Sequence, residues 1–171
     1  VELFTSEGCS SCPSADRALT FLHQKQPIAN ADVIALAFHV DYWNYLGWRD
    51  EFSSAEFSRR QEDYARQFKL SSNYTPQMVV DGSAEFVGSN QDKAANAIKS
   101  AAAGQKGKVA LTMTEGKISI KLSDLPKTMG ATVFLAIAED DLSSKVTRGE
   151  NSGSVLQHSA IVRELRDLGS Y

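Results

Sequence analysis

The sequence predicts an α/β protein: a mixed sheet with helices on both faces, followed by a small β-rich C-terminal extension. Three observations carry that reading. Residues 1–106 alternate strand and helix signals in the order β-α-β-α-β-β-α. Asp81-Gly82 is a two-residue hairpin signal between the third and fourth strands. Beyond Gly107 the helical spacing stops, and short runs of alternating polarity replace it. The predicted division is therefore 1–106 for the first unit and 107–171 for the extension packed on it.

The elements follow in order. Val1-Glu2-Leu3-Phe4-Thr5 alternates and is rich in strand formers. Ser6-Glu7-Gly8 breaks it, and from Pro13 the residues Ala15, Ala18, Leu19 and Leu22 fall at helical spacing until Pro27. Val33 to Phe38 is a continuous apolar run that suits a strand buried on both faces. An aromatic-rich loop follows, from His39 to Asp50. Ser53 and Glu56 have capping-box spacing, and Phe57, Tyr64 and Phe68 form a helical stripe behind them. Gln77–Val80 and Ala84–Val87 flank the Asp81-Gly82 turn, and Asn90 can cap a helix carrying Ala94, Ala95, Ile98 and Ala102. A strand–helix–strand opening that ends in a hairpin and a helix implies a mixed sheet covered on both sides. In the extension, Val109–Met113, Ile118–Leu122 and Thr132–Ala138 read as strands. Lys145–Thr147 and Ala160–Leu165 are two more, the last also compatible with a short helix.

Composition narrows the function classes. Hydrophobic residues make up 42% and charged residues 23% of 171 positions, ordinary values for a globular chain that can bury a core without disulfide staples. The net charge of −3 and the lack of a basic cluster give no basis for nucleic-acid binding or for an anionic membrane surface. The longest apolar run is too short to span a bilayer. The chain opens on a strand rather than on Met, which reads as a chain trimmed of a leader.

Chemistry concentrates at Cys9-Ser10-Ser11-Cys12, the chain's only cysteines, set between a strand and a helix. A helix N-terminus offers unpaired N–H groups and a positive dipole end, and both stabilise a thiolate over a thiol. Cys9, the earlier and by expectation the more exposed, reads as the attacking thiolate, and Cys12 as the residue that resolves a mixed disulfide. Ser10 and Ser11 can donate hydrogen bonds to sulfur, whereas the Glu7 carboxylate opposes a second negative charge. A permanent local disulfide is one alternative, although closing so small a loop restrains the unfolded chain little. Half of a zinc site is another, although His23, His39 and His158 form no paired motif.

The pattern of strand, CxxC and helix, with Thr75-Pro76 opening a later hairpin strand, resembles the thioredoxin superfamily. That resemblance implies a cis-proline at Pro76 beside the CxxC, with Thr75 pairing its backbone with an extended substrate. Four stretches are more specific. They are Glu2–Pro13; His39-Val40-Asp41-Tyr42-Trp43 with Leu46-Gly47-Trp48; Tyr74–Gln77; and Arg148-Gly149-Glu150-Asn151 with Val162–Leu165. They are similar to the secreted bacterial family known as domain of unknown function 1223. Membership implies a thioredoxin-like fold, a β-rich C-terminal extension and export, but no settled substrate. The residues between the cysteines are neither Gly-Pro nor Pro-Tyr, so the resemblance leaves the redox direction open.

Other residues border this motif in the predicted fold. His39 and Asp41 end the central strand, on the side where α/β sheets bind ligands, and could transfer protons to the cysteines or anchor the loop. Tyr42, Trp43, Tyr45 and Trp48 could floor a substrate groove, with Trp43 its foremost candidate, or roof the core. Arg148–Gly153 reads as a polar hairpin turn, or as a loop reaching back over the cysteines with His158 nearby. The leading expectation is a periplasmic or secreted thiol–disulfide oxidoreductase acting on protein or small-molecule thiols, with a redox-active disulfide and no cofactor or resident metal. The rivals are a copper-binding module using Cys9 and Cys12 with His39 or His158, and a non-catalytic binding protein that kept the fold.

Overall fold

Alternation along β1 (Glu2–Thr5) decides the architecture, because Leu3 and Phe4 point to opposite sides of the sheet and both are fully buried. In the computed structural model, which describes residues 1–125 and 131–170, a helix layer covers each side. On one side Leu3, Met78 and Val80 meet Ala15, Leu19 and Leu22 of α1 (Cys12–Lys25) and Ala94 and Ile98 of α3 (Gln91–Ala102). On the other side Phe4, Phe38 and Val79 meet Phe57 of α2 (Ala55–Phe68). Each of the larger side chains, Leu, Ile, Val, Met or Phe, contributes about 1.5–3 kcal/mol on full burial. No helix among the described residues is long and apolar enough to cross a membrane.

The central sheet has six strands in the order β4-β3-β1-β2-β10-β7. β1 pairs in parallel with β2 (Leu36–His39) and antiparallel with β3 (Gln77–Val80), which forms a hairpin with β4 (Ala84–Val87). β10 (Ile161–Ser170) runs parallel to β2, and β7 (Thr132–Glu139) runs antiparallel to β10. Two strands of the C-terminal extension thus continue the central sheet. Its remaining strands form two ribbons: β5 (Lys108–Thr114) with β6 (Lys117–Ser123), and β8 (Leu142–Lys145) with β9 (Val155–His158).

Three local expectations shift. The apolar run from Val33 becomes strand only at Leu36, because β1 begins at Glu2 and its pairing partner is Leu36. Ahead of that point Val33 is fixed through both backbone groups by the Gln26 side chain, and Ile34 is exposed. The second helix is capped by Ser54, whose hydroxyl accepts from Glu56 N–H, while Ser53 turns back to donate to Asp50 O. The strand expected over Lys145–Thr147 instead ends at Lys145 as β8, while the final segment keeps its strand reading over the helical alternative, since its backbone pairs with both β2 and β7.

Candidate functional site

The turn Ser6-Glu7-Gly8 delivers Cys9 to the start of α1. Cys9 N–H donates to Ser6 O at 3.2 Å, and Cys12 N–H donates to Cys9 O at 3.2 Å. Cys9 and Cys12 are joined by a disulfide across Cα atoms 5.4 Å apart. Ser11 is the N-cap of α1, Pro13 lies in its first turn, and that turn carries no acidic side chain to offset the dipole. The Ser11 hydroxyl sits 3.3 Å from Cys9 Sγ, and both Ser10 and Ser11 are exposed.

Cys9 itself is not exposed. Its relative accessibility is 1%, against the expectation of an open attacking sulfur. The connection between β8 and β9 crosses the CxxC turn as a strap. Val146 and Ser154 close its base through a 3.0 Å backbone hydrogen bond. The Asn151 carboxamide donates to Glu7 O at 2.8 Å and to Cys9 O at 2.9 Å. The Glu150 carboxylate accepts from Ser10 N–H at 2.9 Å, which holds its pKa below the usual range. Gly149, at φ +76°, turns the strap where a Cβ would lie 3.5 Å from that of Trp48.

Beneath the disulfide lies a cluster of acid–imidazole pairs. His39 Nδ1 is 2.7 Å from Asp50 Oδ2, with both side chains essentially inaccessible. Burial disfavours the imidazolium, but the adjacent Asp50 carboxylate outweighs it, so the His39 pKa is raised. Burial likewise resists ionisation of Asp50, yet His39 and the N–H groups of Glu7 and Phe52 hold its pKa below the usual carboxylate range. Glu7 is also buried. Its two carboxylate oxygens meet His158 Nε2 at 3.0 Å and Trp48 Nε1–H at 2.7 Å. The charge expected to oppose a thiolate is therefore engaged below the turn. Asp16, four residues after Cys12 on α1, accepts from the Thr5 hydroxyl, and burial raises its pKa. Asp16, His39 and His158 line a cavity of about 10 Å³, and the buried His39 Nε2 has no protein partner.

The structure brings some predicted residues together and separates others. Trp43 Nε1–H donates to Thr75 Oγ1 at 2.8 Å, and Trp43 packs against Gly8, where an added Cβ would approach its Cβ at 3.0 Å. Trp43 thus bridges the CxxC turn and Thr75. The Thr75-Pro76 bond is cis. Pro76 and Ala15 of α1 both converge on Gly88, where a Cβ would lie 3.5 Å and 3.1 Å from theirs. His39 and Asp41 do not pair: His39 points to Asp50, while the Asp41 carboxylate accepts from Ser58 on α2 at 2.6 Å. Tyr42 donates to Gln61 on α2, and Tyr45 is exposed. Among the described residues, no three His, Cys, Asp or Glu side chains converge as a metal site.

Sequence reasoning missed Asp16 and Asp50. Asp16 sits one helical turn past Cys12, a spacing that places both on one helix face and could have flagged it. Nothing local marks Asp50 as the partner of His39, because a loop of irregular backbone brings it there.

Known proteins give a consistent frame. No curated protein matches the chain. A crystal structure of a protein from Agrobacterium tumefaciens is 31% identical, with a TM-score of 0.80, and the match covers 99% of this chain and 72% of that one. The family model described as "Protein of unknown function (DUF1223)" matches residues 1–171, end to end. With the CxxC turn, the aromatic loop and the strap segment all inside that match, the chain belongs to the DUF1223 family.

Proposed function

We propose that the protein is a thiol–disulfide oxidoreductase whose oxidised form holds the Cys9–Cys12 bond closed beneath the strap. The observation that carries this reading is the disulfide at the N-terminus of α1, which directly follows an inner strand. The helix N-terminus and its acid-free first turn favour a thiolate there once the bond opens. The sulfur is buried, with the Ser11 hydroxyl beside it and polar strap side chains closing over its backbone.

The chemistry is an exchange of disulfides. A partner thiolate attacks Cys9 Sγ, a partner–Cys9 mixed disulfide forms, and Cys12 leaves as thiolate stabilised by the helix terminus. A second partner thiolate then attacks the partner sulfur, which releases oxidised partner and the Cys9 thiolate. Run in reverse, Cys12 resolves the mixed disulfide. Thr75 and Pro76, joined to the turn through Trp43, align the partner chain, and Ser10 and Ser11 flank the attacked sulfur. His39 exchanges protons with the buried cluster, while Asp41 anchors its loop. No organic cofactor enters the reaction. A persistent disulfide suits an oxidising compartment, so we assign the protein to the periplasm or the secreted fraction.

Thiol-exchange assays on the cysteine variants test this reading. Cys9→Ser abolishes turnover of a dithiol substrate, and Cys12→Ser accumulates mixed disulfides detectable by mass spectrometry. Wild-type turnover in Cys9→Ser would overturn it.

A further inference from the structure

The strap does more than cover the disulfide. It satisfies three backbone groups around Cys9 with side chains that imitate a main chain. The Asn151 carboxamide supplies N–H donors to Glu7 O and Cys9 O, as a peptide N–H would. The Glu150 carboxylate supplies an acceptor to Ser10 N–H, as a peptide C=O would. The three groups belong to one turn, Glu7 to Ser10, and together present two acceptors and one donor along the edge where Cys9 lies. Both mimicking side chains come from a single connection between β8 and β9, closed at its base by backbone hydrogen bonds and lying against the aromatic loop where Gly149 faces Trp48 and Leu46.

Resting on the thiol–disulfide reading, we propose that Glu150 and Asn151 are the specificity gate of this site: they select a polypeptide thiol as partner, because an extended main chain can replace their three hydrogen bonds while a small thiol without amide groups cannot. The partner displaces the strap, pairs with the turn and presents its thiolate to Cys9 Sγ. The Cys9–Cys12 bond then breaks, two electrons pass from the partner dithiol to the cysteines, and the partner leaves as a disulfide, with one proton from its second thiol and one from solvent ending on Cys9 and Cys12. A small dithiol must instead wait for spontaneous opening, which breaks three hydrogen bonds with no replacement from the protein or the reagent.

The test is stopped-flow reduction of the oxidised full chain by two reagents, dithiothreitol and an unstructured peptide carrying two cysteines. Wild type, Glu150→Ala and Asn151→Ala are compared, and amide hydrogen exchange at Ser10 serves as a second readout. In wild type the peptide reduces the disulfide faster than dithiothreitol at equal thiolate concentration. Each variant accelerates dithiothreitol on the order of tenfold, with a much smaller gain for the peptide, and Ser10 N–H exchange rises in step. Glu150 is exposed, so its variant keeps the fold even where Asn151→Ala loosens it. Equal dithiothreitol rates in wild type and Glu150→Ala, or the same gain for both reagents, would overturn the gate while leaving exchange at Cys9 standing. Failure of both reagents to reduce any variant would instead remove the thiol–disulfide reading itself.

Discussion

His39 and Asp50 show how a buried charge pair sets the working range of this site. Each would be costly alone in that position, and each shifts the other's proton affinity. The two shifts act on opposite sides of neutrality. Asp50 has a lowered folded pKa, so its contribution is present above the ordinary carboxylate range and is lost as pH falls through the folded value. His39 has a raised folded pKa, so its contribution is complete below about pH 6.5 and is lost as pH rises through the folded value. Stability from the pair therefore peaks between those limits. Glu7, Asp16 and His158 lie in the same cluster, so the comparison must be made between variants rather than read from wild type alone. His39→Gln costs about 3–5 kcal/mol in urea unfolding at pH 6, because it strands Asp50, and the cost shrinks as pH rises toward 9. A pH-independent difference between the two proteins would show that no imidazolium is held there.

At the scale of elements, α2 and α3 begin where their capping residues dictate. Ser54 accepts from Glu56 N–H at the start of α2, and Asn90 accepts from Lys93 N–H at the start of α3. Ser54→Ala should lower stability by about 1 kcal/mol, measured by chemical denaturation, whereas Ser53→Ala leaves this cap intact. Cap chemistry at position 54 was visible in the sequence only to within one residue, since Ser53 and Ser54 are both competent caps. What separates them is tertiary: Val40 bridges to Ser54, and Ser54 N–H donates to His39 O, which fixes where the helix can begin. The strap has the same history. Its density of Gly, Asn and Ser marked a turn, but turn chemistry says nothing about which distant backbone its side chains will meet.

For the molecule as a whole, the decisive feature is where β10 lies. It is the neighbour of β2 inside the sheet, and its Ile161 and Val162 are buried on opposite faces with the two cores. Ala37 N–H donates to Ala160 O at 2.7 Å, which ties the last strand to the strand that ends in His39. A chain ended at Lys106 would lose that strand together with His158 and the strap, leaving Glu7 buried without its imidazole partner. Such a fragment should fail to show a cooperative thermal transition by circular dichroism. A sharp transition near that of the full chain would show that the first 106 residues fold alone.

Local pattern was enough to determine the α/β class, the three helices, the hairpin at Asp81-Gly82 and the CxxC turn before α1, because periodicity, caps and turn residues act over a few neighbours. The family followed from motifs spread along the chain, and the Arg148–Gly153 segment carried two readings, a polar hairpin turn or a loop reaching back over the cysteines, between which turn chemistry alone does not choose. Only the tertiary structure decided that this segment seals Cys9, that Glu7 belongs to His158 and Trp48, and that His39 belongs to Asp50 rather than Asp41. Those pairings join residues 11 to 151 positions apart. Such contacts are chosen by burial: a polar group enclosed by the folded sheet must find a partner among whatever the fold brings near it, and no spacing in the chain encodes that choice.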